Sequence, residues 1–119
     1  MNSTNKGQYG ENASVGYLAA KGYSILARNY KKAGGEIDII AKDGEGYIVF
    51  VEVKYRRGTG FGAGTDAVGA GQHRRIIKTA KAYLYEQGMW DAPCRFDVIE
   101  IFGAEQLEIS HFENAFWET

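Results

Sequence analysis

The run Ile48-Val49-Phe50-Val51-Glu52-Val53-Lys54 limits what this chain can fold into more than any other segment. Successive strand side chains point to opposite faces, so four consecutive β-branched or aromatic residues put apolar groups on both. A strand of that kind needs cover on both sides, as a central strand between two layers has. Glu52 and Lys54 follow at once, two residues apart and so on one face. Charges at the end of a buried strand need a partner, because an unpaired buried ion is strongly destabilising. Either the two pair with each other, or they belong to a site.

The rest of the chain supplies the layers. Val15, Leu18 and Ala19 recur at helical spacing, with Ala13 and Tyr17 beside them, and predict a helix over 9–21 ended by Gly22. A short strand is expected over 23–30 and a turn over 31–34. Over 36–41 a strand should put Ile37 and Ile39 on one face, and Glu36 and Asp38 on the other. Asp43-Gly44-Glu45-Gly46 is a hairpin signal leading into the central strand at 47–55. Six glycines between 58 and 71 predict a mobile loop over 57–71. No Lys-Ser or Lys-Thr pair follows it into a helix, so it is not a nucleotide-phosphate loop. A second helix is expected over 72–87, with Ile76, Ile77, Ala80, Tyr83 and Leu84 inward and Arg74, Arg75, Lys78 and Lys81 largely outside that stripe. Strands over 95–102 and 107–112 complete an α/β sandwich around a mixed sheet. Residues 1–8 read as a flexible polar tail, leaving a single domain over 9–119.

At 45% hydrophobic and 24% charged, the 119 residues suit one globular core. Cys94 is the only cysteine, which excludes an intramolecular disulfide and a cysteine-built zinc site. His73 and His111 lack further zinc ligands. With no apolar signal core and no membrane-spanning run, the expected compartment is the cytoplasm, without membrane association. The net charge of −1 hides an asymmetry. Residues 54–81 hold seven basic side chains and one acidic, and residues 82–119 eight acidic and one basic. A basic middle can bind phosphates although the total is near neutral, or it can be ordinary solvated surface.

Asp38 precedes the hairpin and Glu52 follows it, so the two carboxylates fall near the open ends of an antiparallel pair. Carboxylates held together repel unless a cation joins them. Mg²⁺ or Mn²⁺ suits such a pair, because magnesium takes oxygen ligands and few of them from protein. Lys54 would then hold the attacking hydroxide or neutralise charge on the phosphoryl group under attack.

The segments Gly35-Glu36-Ile37-Asp38 and Phe50-Val51-Glu52-Val53-Lys54 resemble the core of the PD-(D/E)xK nuclease superfamily. The wider pattern resembles the bacterial YraN-like family, related to archaeal Holliday-junction resolvases. It runs through Gly10-Glu11, Tyr17-Leu18, Gly22-Tyr23, Arg28-Asn29-Tyr30, Asp38-Ile39-Ile40, Arg56 and Arg95-Phe96-Asp97-Val98, over about residues 10–102. The resemblance implies a three-layer restriction-endonuclease-like core with a mixed central sheet flanked by helices. It implies Asp38, Glu52 and the Val53 carbonyl as metal ligands, Glu11 in support, and Lys54 as the catalytic lysine. Glu11 reads equally as an exposed glutamate near a helix start, favoured by the helix dipole. Glu36 reads as a supporting or a surface residue. Gln72 departs from the lysine usual at that helix start in the family. A glutamine contributes to the site in other nucleases of the superfamily, so Gln72 joins the catalytic candidates.

The function expected is a Mg²⁺- or Mn²⁺-dependent endonuclease on nucleic acid, DNA first and RNA as a weaker alternative, with branched or repair intermediates suggested by the resolvase relation. Arg56, Arg57, Arg74, Arg75 and Lys78 would hold phosphates. A homodimer is expected from the same relation. The rival expectation is a non-catalytic nucleic-acid-binding or protein-interaction module on the same fold.

Overall fold

The computed structural model describes residues 3–56, 70–103 and 106–117. The elements are α1 (Ser3–Ala20), β1 (Ser24–Lys32), β2 (Gly35–Lys42), β3 (Ile48–Arg56), α2 (Ala70–Glu86), β4 (Cys94–Phe102) and β5 (Glu108–Phe116). The strands make one mixed sheet in the order β1-β2-β3-β4-β5. Only β3 and β4 run parallel, and α2 lies between them in the chain as the crossover helix such a pair requires.

The central strand is apolar on both faces because each face has its own core. Ile48 and Phe50 pack with Ile76, Ile77, Ala80, Tyr83 and Leu84 of α2, and with Phe96 and Val98. Val49 and Val51 pack with Leu18 of α1, Ile39, Ala41, Ile99 and Ile101. The result is helix, sheet, helix, in three layers. No helix among the described residues is long and apolar enough to cross a membrane.

Several boundaries differ from expectation. α1 begins at Ser3, so most of the expected flexible tail is helical. Its first residues are polar and carry no apolar period, yet an established helix extends by one hydrogen bond per added residue. β1 runs on to Lys32, and Ala33 and Gly34 alone make the turn, with φ of 56° and 82°. Two positive φ values in a two-residue loop match the twist of a tight hairpin. β5 continues to Phe116. Of the expected glycine loop, 57–69 lie outside the described residues, while Ala70 and Gly71 open α2.

Ile37 and Ile39 do not share a face, contrary to strict alternation. Ile37 packs on the α2 side and Ile39 on the α1 side. The β1–β2 ladder pairs Arg28 with Ile39 and Tyr30 with Ile37, and omits Asn29 opposite Asp38. Asn29 has φ of 51°, a left-handed conformation that asparagine tolerates better than most residues. The break in the ladder turns the chain at Asp38.

α2 approaches the hairpin end of β2 at Gly35. A Cβ there would overlap Thr79 Oγ1 and come within 2.9 Å of the Arg75 carbonyl oxygen. Thr79 Oγ1 lies 2.8 Å from the Lys32 carbonyl and 2.9 Å from that of Arg75, tying helix to hairpin. Gly35→Ala is expected to destabilise the fold by about 1–3 kcal/mol in denaturant unfolding, the usual cost of overpacking.

On the α1 side a polar network joins the chain ends. Asp97 is fully buried and accepts from Arg95 Nε (3.1 Å), the Asn114 backbone N–H (3.0 Å) and His111 Nε2 (2.7 Å). His111 Nδ1 meets the Tyr17 hydroxyl of α1 at 3.1 Å. Burial alone would raise the Asp97 pKa, but His111, Arg95 and the Asn114 N–H together hold it below the ordinary value. A lowered acid pKa contributes stability above the unfolded value near 3.8, and that stability is lost as pH falls through the folded value. Asp97→Ala takes one carboxylate from Arg95, which keeps Asp43 at 2.8 Å, and leaves His111 Nε2 and the Asn114 N–H without their acceptor; it should cost about 1–3 kcal/mol at neutral pH, shrinking as the acid limb is approached. Urea unfolding from pH 3 to 7 measures both.

Candidate active site

The site forms where β2 leaves β3. Their ladder runs from Lys42↔Ile48 to Ile39↔Val51 and stops. The next residue of β2, Asp38, replaces the missing strand partner with its side chain: the Val53 N–H donates to Asp38 Oδ2 at 2.8 Å. A strand residue turns its N–H and C=O to the same neighbour, so the Val53 carbonyl faces the same opening.

Glu52 and Lys54 share the α2 face of β3, as the two-residue spacing requires. Glu52 is buried, and its Oε1 accepts from Gln72 Nε2 of α2 at 2.9 Å and lies 3.1 Å from Lys54 Nζ. An open pocket of about 290 Å³ lies alongside, lined by Gly34, Gly35, Glu36, Asp38, Glu52, Gln72, Arg75 and Ile76. Three carboxylates, one amide and one guanidinium therefore meet at its wall.

The electrostatics there favour a cation. Burial, opposed by the Val53 N–H and reinforced by the charges of Glu52, Glu11 and Glu36, leaves the Asp38 carboxyl pushed up to about 7. Glu11, in the middle of α1 rather than near a helix start, is itself buried and held by Arg28 (3.0 Å) and by Asn29 Nδ2 (2.9 Å). It bears on Asp38 through its charge.

Most of the expected residues converge. Asp38, Glu52, Gln72 and Arg75 line one pocket, and Lys54 adjoins it through Glu52. Arg74 and Lys78 are exposed on α2. Arg56 points to a different partner, the buried Glu100 of β4, at 3.2 Å. Arg57 lies outside the described residues. Sequence reasoning missed Glu100, which reads as the polar face of an alternating strand. It also missed His73, whose ring stacks on Phe116 at 3.9 Å and whose Nε2 is buried without a hydrogen-bond partner among the described residues. Burial lowers the His73 pKa; Glu52 opposes this and Lys54 reinforces it.

Residues 10–101 match the model of the "Uncharacterised protein family UPF0102". The chain belongs to the UPF0102 family. A UPF0102 protein of Symbiobacterium thermophilum is 50% identical over 80% of this chain and 80% of its own length. One of Clostridioides difficile is 44% identical over 98% of this chain and 100% of its own. Among solved structures, SfsA of Pyrococcus furiosus in complex with Ca²⁺ is similar with a TM-score of 0.40 and 13% identity, over 94% of this chain and 64% of that one.

The raised Asp38 pKa has a measurable consequence without any ligand. Between about 4 and about 7 the unfolded chain has released a proton that the folded chain retains, so rising pH favours unfolding through this group. Asp38→Asn keeps an acceptor for the Val53 N–H and removes the charge. In EDTA its Tm should exceed the parent's at pH 8, by about 4 °C for each 1 kcal/mol relieved, with the gap closing toward pH 4.

Proposed function

We propose that this protein is a metal-dependent endonuclease of the PD-(D/E)xK type that hydrolyses phosphodiesters in nucleic acid, with DNA as the first candidate substrate. The observation that carries the reading is Asp38: a half-buried carboxyl, pushed up to about 7, that faces further carboxylates across an open pocket. Such a group is stabilised by a cation.

The donor set fits magnesium or manganese. Asp38, Glu52 and the Val53 carbonyl are hard oxygen donors, and few protein ligands are what Mg²⁺ takes when water and phosphate complete its shell. Among the described residues no three acidic, histidine or cysteine groups cluster tightly enough to cage an ion. Bound there, the ion would acidify water and polarise a phosphoryl oxygen.

The chain's own residues supply the rest. Gln72 donates to Glu52 and fixes the carboxylate's orientation. Lys54 Nζ, beside Glu52, is placed to neutralise charge as water oxygen joins phosphorus and the ester oxygen leaves. Arg75 offers a guanidinium to a phosphate entering the same pocket.

A second reading rests on one distance. The 3.1 Å contact of Lys54 with Glu52 is also what a structural ion pair would make, and a nucleic-acid-binding module without turnover would carry it. The test is the purified protein with Mg²⁺ or Mn²⁺ on single-stranded, duplex, flap and four-way DNA, with an RNA strand alongside. Asp38→Ala should lower cleavage by at least about 100-fold, and Lys54→Ala should do the same while binding persists. Binding without cleavage of any substrate, in either metal, would leave the module reading standing.

A further inference from the structure

Beyond the pocket, β3 continues in the same alternation to Arg56, so Glu52, Lys54 and Arg56 form one row on the α2 face of the sheet. In the parallel ladder Lys54 stands beside Glu100 of β4. Glu100 alternates with Phe96 and Val98, which pack on the α2 side, and its side chain is 1% exposed. A carboxylate that deep in the sheet is strongly destabilising unless it is paired. Its partner is Arg56, whose Nε lies 3.2 Å from Glu100 Oε2. A bond through Nε leaves the two terminal amines of the guanidinium for other acceptors, and the Arg56 side chain is 30% exposed.

We propose that Arg56, held in place by Glu100, is a second phosphate subsite, so that the substrate is a polynucleotide engaged at two backbone positions rather than a lone phosphodiester. Two residues along a strand span about 6.6–6.8 Å, which separates this subsite from Lys54 on one rigid element. Glu100 is a positioning residue: it fixes the guanidinium plane, so that the terminal amines of this part-exposed side chain meet phosphate oxygens bidentately. The subsite is needed for grip whatever happens at Asp38. It rests on the nuclease reading only in placing the neighbouring phosphate beside Lys54.

The experiment is fluorescence anisotropy of a labelled single-stranded oligonucleotide in EDTA across a salt series, where no turnover enters. Arg56→Ala should weaken binding about tenfold and reduce the log–log salt slope by about 0.7, one phosphate contact on a single strand. Glu100→Gln should bring most of that loss, and the double variant should bind no more weakly than Arg56→Ala alone. Arg56→Lys keeps the charge and loses the fork, so it should weaken binding several-fold while the salt slope stays near the parent's; it needs no change at a buried position, so the test survives if Glu100→Gln does not fold. Parental affinity in Arg56→Lys, a parental slope in Arg56→Ala, an unchanged affinity in a folded Glu100→Gln, or no oligonucleotide binding by the parent would each overturn the proposal. A parent that binds with this Arg56-dependent slope and cleaves nothing with added metal would instead sink the nuclease reading and leave the subsite intact.

Discussion

A single hydrogen bond, from the Val53 N–H to the carboxylate of Asp38, marks the point on which the rest of the candidate site depends. It stands where the β2–β3 ladder ends and a backbone donor would otherwise lose its strand partner. The side chain takes over the role of a strand and in doing so is drawn into a half-buried position. The same displacement opens a gap between two strands of an otherwise continuous sheet. Fold stability and site formation are coupled in that one contact.

Support comes from both helix layers. α2 is drawn close at Gly35 and Thr79, and this approach sets Gln72 within reach of Glu52. α1 contributes Glu11, anchored by Arg28 and by Asn29 at the irregular point of β1. Asn29 thus serves twice: its left-handed backbone breaks the ladder opposite Asp38, and its amide holds the acid that acts on Asp38. The negative potential in the pocket is built from two strands and a helix.

Much of this was legible in the chain. The two-sided apolar run over 48–51 requires a covered central strand, and period-two alternation puts Glu52 and Lys54 on one face. The hairpin signal at 43–46 brings Asp38 near Glu52. Other features depend on contacts that spacing does not encode. Gln72 reaches Glu52 across a crossover, and Glu100 is buried only because a parallel neighbour and a helix layer cover that face. The alternation rule failed at Ile37 and Ile39 because it assumes an unbroken ladder. The helical start of α1 carries no apolar period and so left no pattern to read.

The network around Asp97 has one more implication. Tyr17 of the first helix meets His111 of the last strand across 94 residues of sequence. A growing polypeptide cannot make that contact until residue 111 has been synthesised. Contacts of such long range slow the search for the native arrangement. The first helix can rest its apolar side on the earlier strands, but the Tyr17 hydroxyl gains its imidazole partner only when the fifth strand has joined the sheet.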